Sequence, residues 1–309
     1  MSLLSRLKGP GKNGFGYGST AEDVTEGLDL TGKTYLITGC NSGLGLETAR
    51  VLALRGAHIM GAARTREKAA AALASAAPRG APVSCDLAEP DSIRRCVEEI
   101  MGMDRPLDGI IANAGIMALP ELDQRQGYEL QFFTNHVGHY LLVTGLLGRL
   151  AEDGRVVMVS SRAHERAPKE GIQFDNLSGE AGYSPWTAYG QSKLANLLFA
   201  RSLARRLPGP KQTANALHPG VIATNLGRHM SPVAQRVLSG VEPLFLKSIP
   251  EGTATQVYVA AHPDAAAVSG EYWADCNVAE SSKHGRDTEL AERLWKETEG
   301  IVGRVTEKT

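Results

Sequence analysis

Cysteine is scarce in this chain: Cys40, Cys85, Cys96 and Cys276 are the four it has, with no CxxC pair and no metal-like spacing. That excludes a disulfide-stapled scaffold or a zinc module and fits a reduced, cytoplasmic setting. Long apolar runs are missing as well. No stretch approaches the roughly 18 uninterrupted apolar residues of a membrane span, so stable membrane insertion is not expected. Residues 1–10 carry Arg6 and Lys8 but no apolar core of signal-peptide length. Excess charge of either sign is absent too. The 33 basic and 34 acidic residues leave a net charge of −1, which speaks against nucleic acid or an anionic membrane surface as partner. There is no internal repeat, and the Ala-rich stretch 68–77 reads as an exposed helix.

What is present, from Lys33 on, is an alternation of short apolar runs with longer segments apolar at three- and four-residue spacing. Candidate strands are Thr34–Thr38, His58–Ala62, Pro82–Cys85, Leu107–Ala112, Arg155–Ser160, Thr213–Leu217 and Gly270–Trp273. Candidate helices are Glu47–Gly56, Asp91–Met101, Tyr128–Leu150, Ala188–Leu207 and Gly252–Ala261. The alternation predicts one doubly wound α/β domain over residues 31–309, a parallel seven-stranded sheet with helices on both faces. Residues 1–30, rich in Gly, Ser, Lys and Asp, form an arm that is flexible or wraps the surface. Two segments break the alternation: the polar connection 162–185, and an apolar stretch, about 225–250, interrupted by glycines and prolines and expected to act as a substrate lid.

Between the first strand and the first helix lies Thr38-Gly39-Cys40-Asn41-Ser42-Gly43-Leu44-Gly45. Glycines there let the backbone turn tightly and approach a pyrophosphate, which rests on the free N–H groups at the helix start. One further absence bears on the cofactor. Where an NAD-binding fold places a carboxylate for the ribose 2′-hydroxyl, this chain has Ala63, followed at once by Arg64. A small side chain beside a guanidinium suits a 2′-phosphate, so NADP(H) is expected over NAD(H). Asp86-Leu87 and Asn113-Ala114-Gly115 fall at the carboxyl ends of the next two strands, where ligands bind in open parallel sheets.

Tyr189 and Lys193, four residues apart, share one helix face. A nearby cation stabilises a phenolate and draws its pKa down from about 10, which would make the tyrosine an acid/base at a carbinol oxygen. The strand 155–160 ends in Ser160-Ser161, whose hydroxyl can hold a substrate oxygen against the phenol. Asn135 lies inside a helix, where a buried amide needs partners. It either bonds a neighbouring strand or anchors water on a proton route from the lysine.

TGxxxGxG, NAG, a helical Asn, a strand-end Ser, YxxxK and then Pro219-Gly220, in this order from Thr31 to Trp273, resemble the short-chain dehydrogenase/reductase family. The phrases at 38–50, 127–142, 155–164 and 189–200 are similar to its retinol-dehydrogenase-like and WW-domain-oxidoreductase-like branch. The resemblance implies a Rossmann-type oxidoreductase that moves hydride between NADP(H) and a carbonyl or alcohol. It implies a catalytic set of Asn135, Ser161, Tyr189 and Lys193, with Ser161 rather than Ser160 orienting substrate. It further implies cofactor contacts from Gly39, Asn41, Ser42, Gly43, Leu44, Gly45, Arg64, Asp86, Leu87, Asn113, Ala114 and Gly115. Tyr189, Lys193, Pro219, Gly220, Ile222 and Thr224 complete that set. Family members often pair into dimers or tetramers through their two long helices, so a homo-oligomer is expected. The substrate is expected to be a fairly apolar small molecule, from the apolar side chains of the lid. Rival readings are a reductase of an activated C=C bond, as in the similar protochlorophyllide reductases, and a cofactor-binding scaffold without turnover. His136, His139, His164 and His218 lack ligand spacing and read as packing or capping groups, with no metal expected. Of these, His164, near the insertion, is the one best placed to touch substrate if any does.

Overall fold

The computed structural model describes residues 9–222 and 246–307. Strands β1 (Thr34–Thr38), β2 (His58–Ala63), β3 (Ala81–Ser84), β4 (Leu107–Ala112), β5 (Leu150–Val159), β6 (Thr213–His218), β7 (Tyr272–Ala274) and β8 (Asn277–Val278) form one sheet in the order β8-β7-β6-β5-β4-β1-β2-β3. All neighbouring strands run parallel except β8, which pairs antiparallel with β7. The all-parallel seven-stranded sheet expected is therefore extended by a two-residue antiparallel edge strand. The order reverses between β1 and β4, and in doubly wound sheets ligands bind in the crevice beyond the strand ends at that point.

Helices α1 (Gly43–Leu54), α2 (Arg66–Ala76) and α3 (Pro90–Met101) follow β1, β2 and β3. The next helical stretch is not the single α-helix expected over 128–150. It starts at Leu130, passes through a π-turn at Phe133–Val137, continues as α4 (Gly138–Leu146) and ends in a 3₁₀ turn. Tyr128–Glu129 instead pairs with Gln124–Arg125 in a small antiparallel ladder. Helix α5 (Pro185–Ala204) has proline in its first turn, where the missing N–H costs nothing. Helix α6 (Ile249–Ala261) starts with a capping box in which Ser248 and Glu251 satisfy each other's backbone N–H groups.

A last helix, α7 (Thr288–Thr306), was not among those predicted. Asp287 caps it by accepting from Leu290 N at 2.9 Å, and its buried side chains are Ala291, Leu294, Thr298, Ile301 and Val305. That stripe packs with Phe132, Leu194, Ala195 and Leu198 into one cluster. Trp295 stacks on Phe199 and meets Tyr140 edge-on, while Arg205 and Arg206 pair with Glu292. The chain's own C-terminal helix thus packs along α5 and meets α4 at Tyr140.

Of the arm, residues 9–30 are described and wrap the surface. Asn13 Nδ2 donates to Tyr258 Oη and to the Cys276 carbonyl, Phe15 packs edge-on to Tyr258 and His262, and Ala21, Val24 and Leu30 are buried. The lid expected at 225–250 falls almost wholly outside the described residues.

Candidate active site

The site begins where β1 ends. Gly39 has φ +68°, a left-handed conformation that glycine adopts without strain. Gly45 faces the carbonyl of Gly39, and a Cβ there would stand 2.6 Å from Asn113 Nδ2. Only glycine lets α1 approach the strand ends this closely. Ser42 sits at the N-cap in extended backbone without using its side chain as a cap, so N–H groups of the first turn of α1 remain for an anion.

The ends of β1 and β4 are stitched across the switch point. Thr38 Oγ1 accepts from the N–H groups of Asn113 (2.9 Å) and Ala114 (3.0 Å), and Asn113 Nδ2 donates to the Thr38 carbonyl at 2.8 Å. Asn113 is therefore held in place before any ligand arrives. At the end of β2, Ala63 is buried and Arg64 exposed, with no carboxylate hydrogen-bonded to its guanidinium among the described residues. Arg66, by contrast, is occupied by the Pro82 carbonyl and by Glu99. Asp86 accepts from Ala88 N at 3.0 Å, and Leu87 turns its side chain into the core.

Pro219 and Gly220 follow β6, Gly220 at φ +100° against the side chain of Lys247. Ile222 bridges to Lys247, and Ile222 and Leu44 both close on Gly252, so the loop after β6 meets the start of α1. Thr224 lies outside the described residues.

Ser161, Tyr189 and Lys193 are brought together. The Tyr189 phenol is buried, with the Ser161 hydroxyl close enough to act on its charge. Ser161 also accepts from Ala163 N at 3.1 Å, which fixes its rotamer, whereas the Ser160 hydroxyl donates to the Lys193 carbonyl at 2.6 Å. The Ser160 hydroxyl is thus taken up by the scaffold, and the Ser161 hydroxyl is the one beside the Tyr189 phenol. Lys193 Nζ donates to the Val159 carbonyl at 2.8 Å and stands 5.8 Å from the Tyr189 ring centre. Trp186, 37% exposed, meets Tyr189 edge-on and carries the Arg166 guanidinium on its face.

The charge states of the pair differ from expectation. Burial pushes the Tyr189 phenol up to about 12, with the Ser161 hydroxyl only partly opposing it, and burial pushes Lys193 down to about 8. Desolvation of both charged forms outweighs the expected lowering of the phenol by the ammonium.

Asn135 is placed beside Lys193. A Cβ on Gly115 would stand 3.1 Å from Asn135 Oδ1 and 3.4 Å from Lys193 Nζ. Its side chain is nevertheless fully engaged: Oδ1 accepts from Ile116 N, and Nδ2 donates to Ile116 O and Ser192 Oγ, each at 2.9 Å. Of the two readings of this amide, bonding to the neighbouring strand end describes its side chain. The π-turn is what aims it there, a distortion frequent at functional sites.

His139 was expected to pack and does so with a purpose. Its Nδ1 donates to the Asn135 carbonyl at 2.8 Å, so Nε2 accepts from the Thr38 hydroxyl at 2.9 Å. Burial holds it neutral, its pKa down at about 4. The link from Thr38 through His139 to Asn135 was missed, although the four-residue spacing of Asn135 and His139 could have signalled it. His164 also packs and caps, as all four histidines were read to do. It is buried, Nδ1 donating to the Ser161 carbonyl at 2.7 Å and Nε2 accepting from Ser282 N at 3.0 Å, so no ring nitrogen remains for substrate. Among the described residues no cluster of metal-ligating side chains occurs.

A doubly wound parallel sheet with a glycine cradle at its switch point and a buried Ser–Tyr–Lys set defines a dinucleotide-dependent oxidoreductase class. Comparison with known proteins narrows it: residues 33–234 match the short chain dehydrogenase family. The chain is 43% identical to the chloroplastic short-chain dehydrogenase TIC 32 B of Brassica napus, covering 92% of this chain and 93% of the relative. It is 40% identical to retinol dehydrogenase 14 of Homo sapiens over 89% and 87% of the two chains. Among solved structures, an uncharacterized protein from Mycobacterium paratuberculosis superposes with TM-score 0.74 at 33% identity, covering 91% of this chain and 97% of the other. A blue fluorescent protein from a metagenomic library, solved in complex with NADPH, gives TM-score 0.63 at 26% identity, over 79% and 96%. The chain belongs to the short-chain dehydrogenase/reductase family, in its retinol-dehydrogenase-like branch.

Proposed function

We propose that the chain is an NADP(H)-dependent oxidoreductase that interconverts a carbonyl and an alcohol on a fairly apolar small molecule, with Tyr189 as the acid/base. The observation that carries this reading is the buried phenol of Tyr189, which has the Ser161 hydroxyl beside it and the Lys193 ammonium one helical turn on, 5.8 Å from the ring centre.

The residues present fit the cofactor. The cradle that a Cβ on Gly45 would fill and the uncapped start of α1 suit a pyrophosphate. Arg64, free of carboxylate partners among the described residues beside the small Ala63, suits a 2′-phosphate. Ser42, Leu44, Asn113 and the loop at Pro219-Gly220 frame the rest of the crevice. When bound, NADPH supplies the hydride. Ser161 donates to the substrate oxygen and aims it at Tyr189. The phenol, protonated at neutral pH, holds the proton which that oxygen takes up as the C=O bond is reduced, and the cationic Lys193 stabilises the phenolate left behind. Trp186 and Val221, both exposed, support an apolar substrate. Replacing Tyr189 by Phe removes the proton and keeps the ring, so turnover should be lost while NADPH still binds. Full turnover by that variant would refute the assignment.

A further inference from the structure

We propose that Gln131 and Tyr183 are positioning residues that set the wall formed by residues 115–119 and thereby decide how tightly the carbonyl substrate is held. This rests on the activity proposed above. The segment leaves β4 through Asn113-Ala114-Gly115, beside Lys193, and Asn135 grips its first part at Ile116. One turn earlier on the same helical stretch, Gln131 grips the next part: its Oε1 accepts from Ala118 N at 2.6 Å. Ala118 has φ +48°, a left-handed conformation that a residue with a Cβ keeps only when its surroundings hold it.

Gln131 in turn is held from the other side. Its Nε2 donates to Tyr183 Oη and to Glu129 Oε1, both at 3.1 Å, and the Tyr183 hydroxyl donates to the Leu119 carbonyl at 2.6 Å. Gln131 is fully buried and Glu129 nearly so. Glu129 accepts from Phe132 N at 2.7 Å, which anchors the cluster to the helix start. Tyr183 belongs to the polar insertion and stands two residues before α5, the helix that carries Tyr189. Three otherwise separate pieces are tied at one point: the wall 115–119, the stretch bearing Asn135, and the entry to the catalytic helix. A buried polar cluster with every member satisfied fixes one geometry. The geometry fixed here is that of the segment 115–119 against the entry to α5, the helix that carries Tyr189, and among the contacts on either residue none reaches the Ser161–Tyr189–Lys193 set.

Tyr183→Phe and Gln131→Met test this. Each should raise KM for the carbonyl substrate about fivefold, the effect of one hydrogen bond, with kcat and the Kd of NADPH within about twofold of the parent. In Gln131→Met, amide exchange at Ala118 should accelerate about tenfold while the amides of Ile110 and Ile111 in β4 keep their protection. Equal losses in kcat and NADPH affinity, or unchanged exchange at Ala118, would overturn the proposal. The exchange measurement needs no turnover. If the parent reduced no carbonyl yet Ala118 exchange accelerated, the carbonyl reading would fail and the positioning of the wall would stand.

Discussion

Burial moves Tyr189 up to about 12 and Lys193 down to about 8, and the two shifts act on rate in different pH ranges. The phenol stays protonated, as a proton donor must, throughout neutral and moderately alkaline pH. Lys193 serves as a cation, so its contribution is present below about 8 and lost as pH rises past it. The value of kcat/KM for NADPH, which reports the free protein, should therefore be flat near neutrality and fall above pH about 8. In Lys193→Arg that fall should disappear, because a guanidinium keeps its charge. Arg64 makes a separate prediction. Arg64→Ala should weaken NADPH binding about ten- to a hundredfold, the worth of a charge-assisted bond, and leave NADH binding nearly unchanged, as read by cofactor fluorescence titration. Single residues were legible where their role depends on position along the chain. Ser161 was separated from Ser160, and Tyr189 paired with Lys193, because strand ends and helix faces follow from spacing. His164 caps backbone as read, but its partner Ser282 N lies 118 residues away, where no local pattern points to it.

Strands announce themselves by apolar runs, and β1 and β4 have the boundaries expected. Elements whose partners lie elsewhere were harder. The π-turn at Phe133–Val137 leaves no periodic trace over five residues, yet it aims Asn135. Helix α7 carries a clear stripe from Leu290 to Val305 and an Asp287 cap, so it could have been found. It follows β7, the last strand of the alternation, where no further β-α-β unit calls for a helix. The two residues of β8 are too few to show a period. Because α7 closes the cluster it shares with Phe132, Leu194 and Leu198, Leu294→Ala should lower unfolding free energy by about 2–5 kcal/mol, measured by denaturant titration. A surface leucine would cost far less. Ser161, Tyr189 and the glycine cradle lie on other elements, so NADPH binding by the variant should persist below its unfolding transition.

At the scale of the whole molecule, the N-terminal arm and α7 hold opposite ends of the chain onto the domain. Phe15 and Asn13 dock on α6 and the loop after β7, and Trp295 seals the junction of α4 and α5. Light scattering tests the homo-oligomer expected through α4 and α5: a mass of 32.9 kDa would mean a single chain, and a multiple of it that the chain pairs. The sheet order, the cradle and the catalytic set converge on the same strand ends, and that convergence is what the proposed chemistry depends on. The most direct test follows NADPH oxidation by the parent and by Tyr189→Phe against a panel of apolar aldehydes, ketones and enones. The account predicts that the parent consumes NADPH with an aldehyde or ketone, and that the variant binds NADPH but turns over at least about a hundredfold more slowly. Turnover confined to enones, or a variant as fast as the parent, would contradict it.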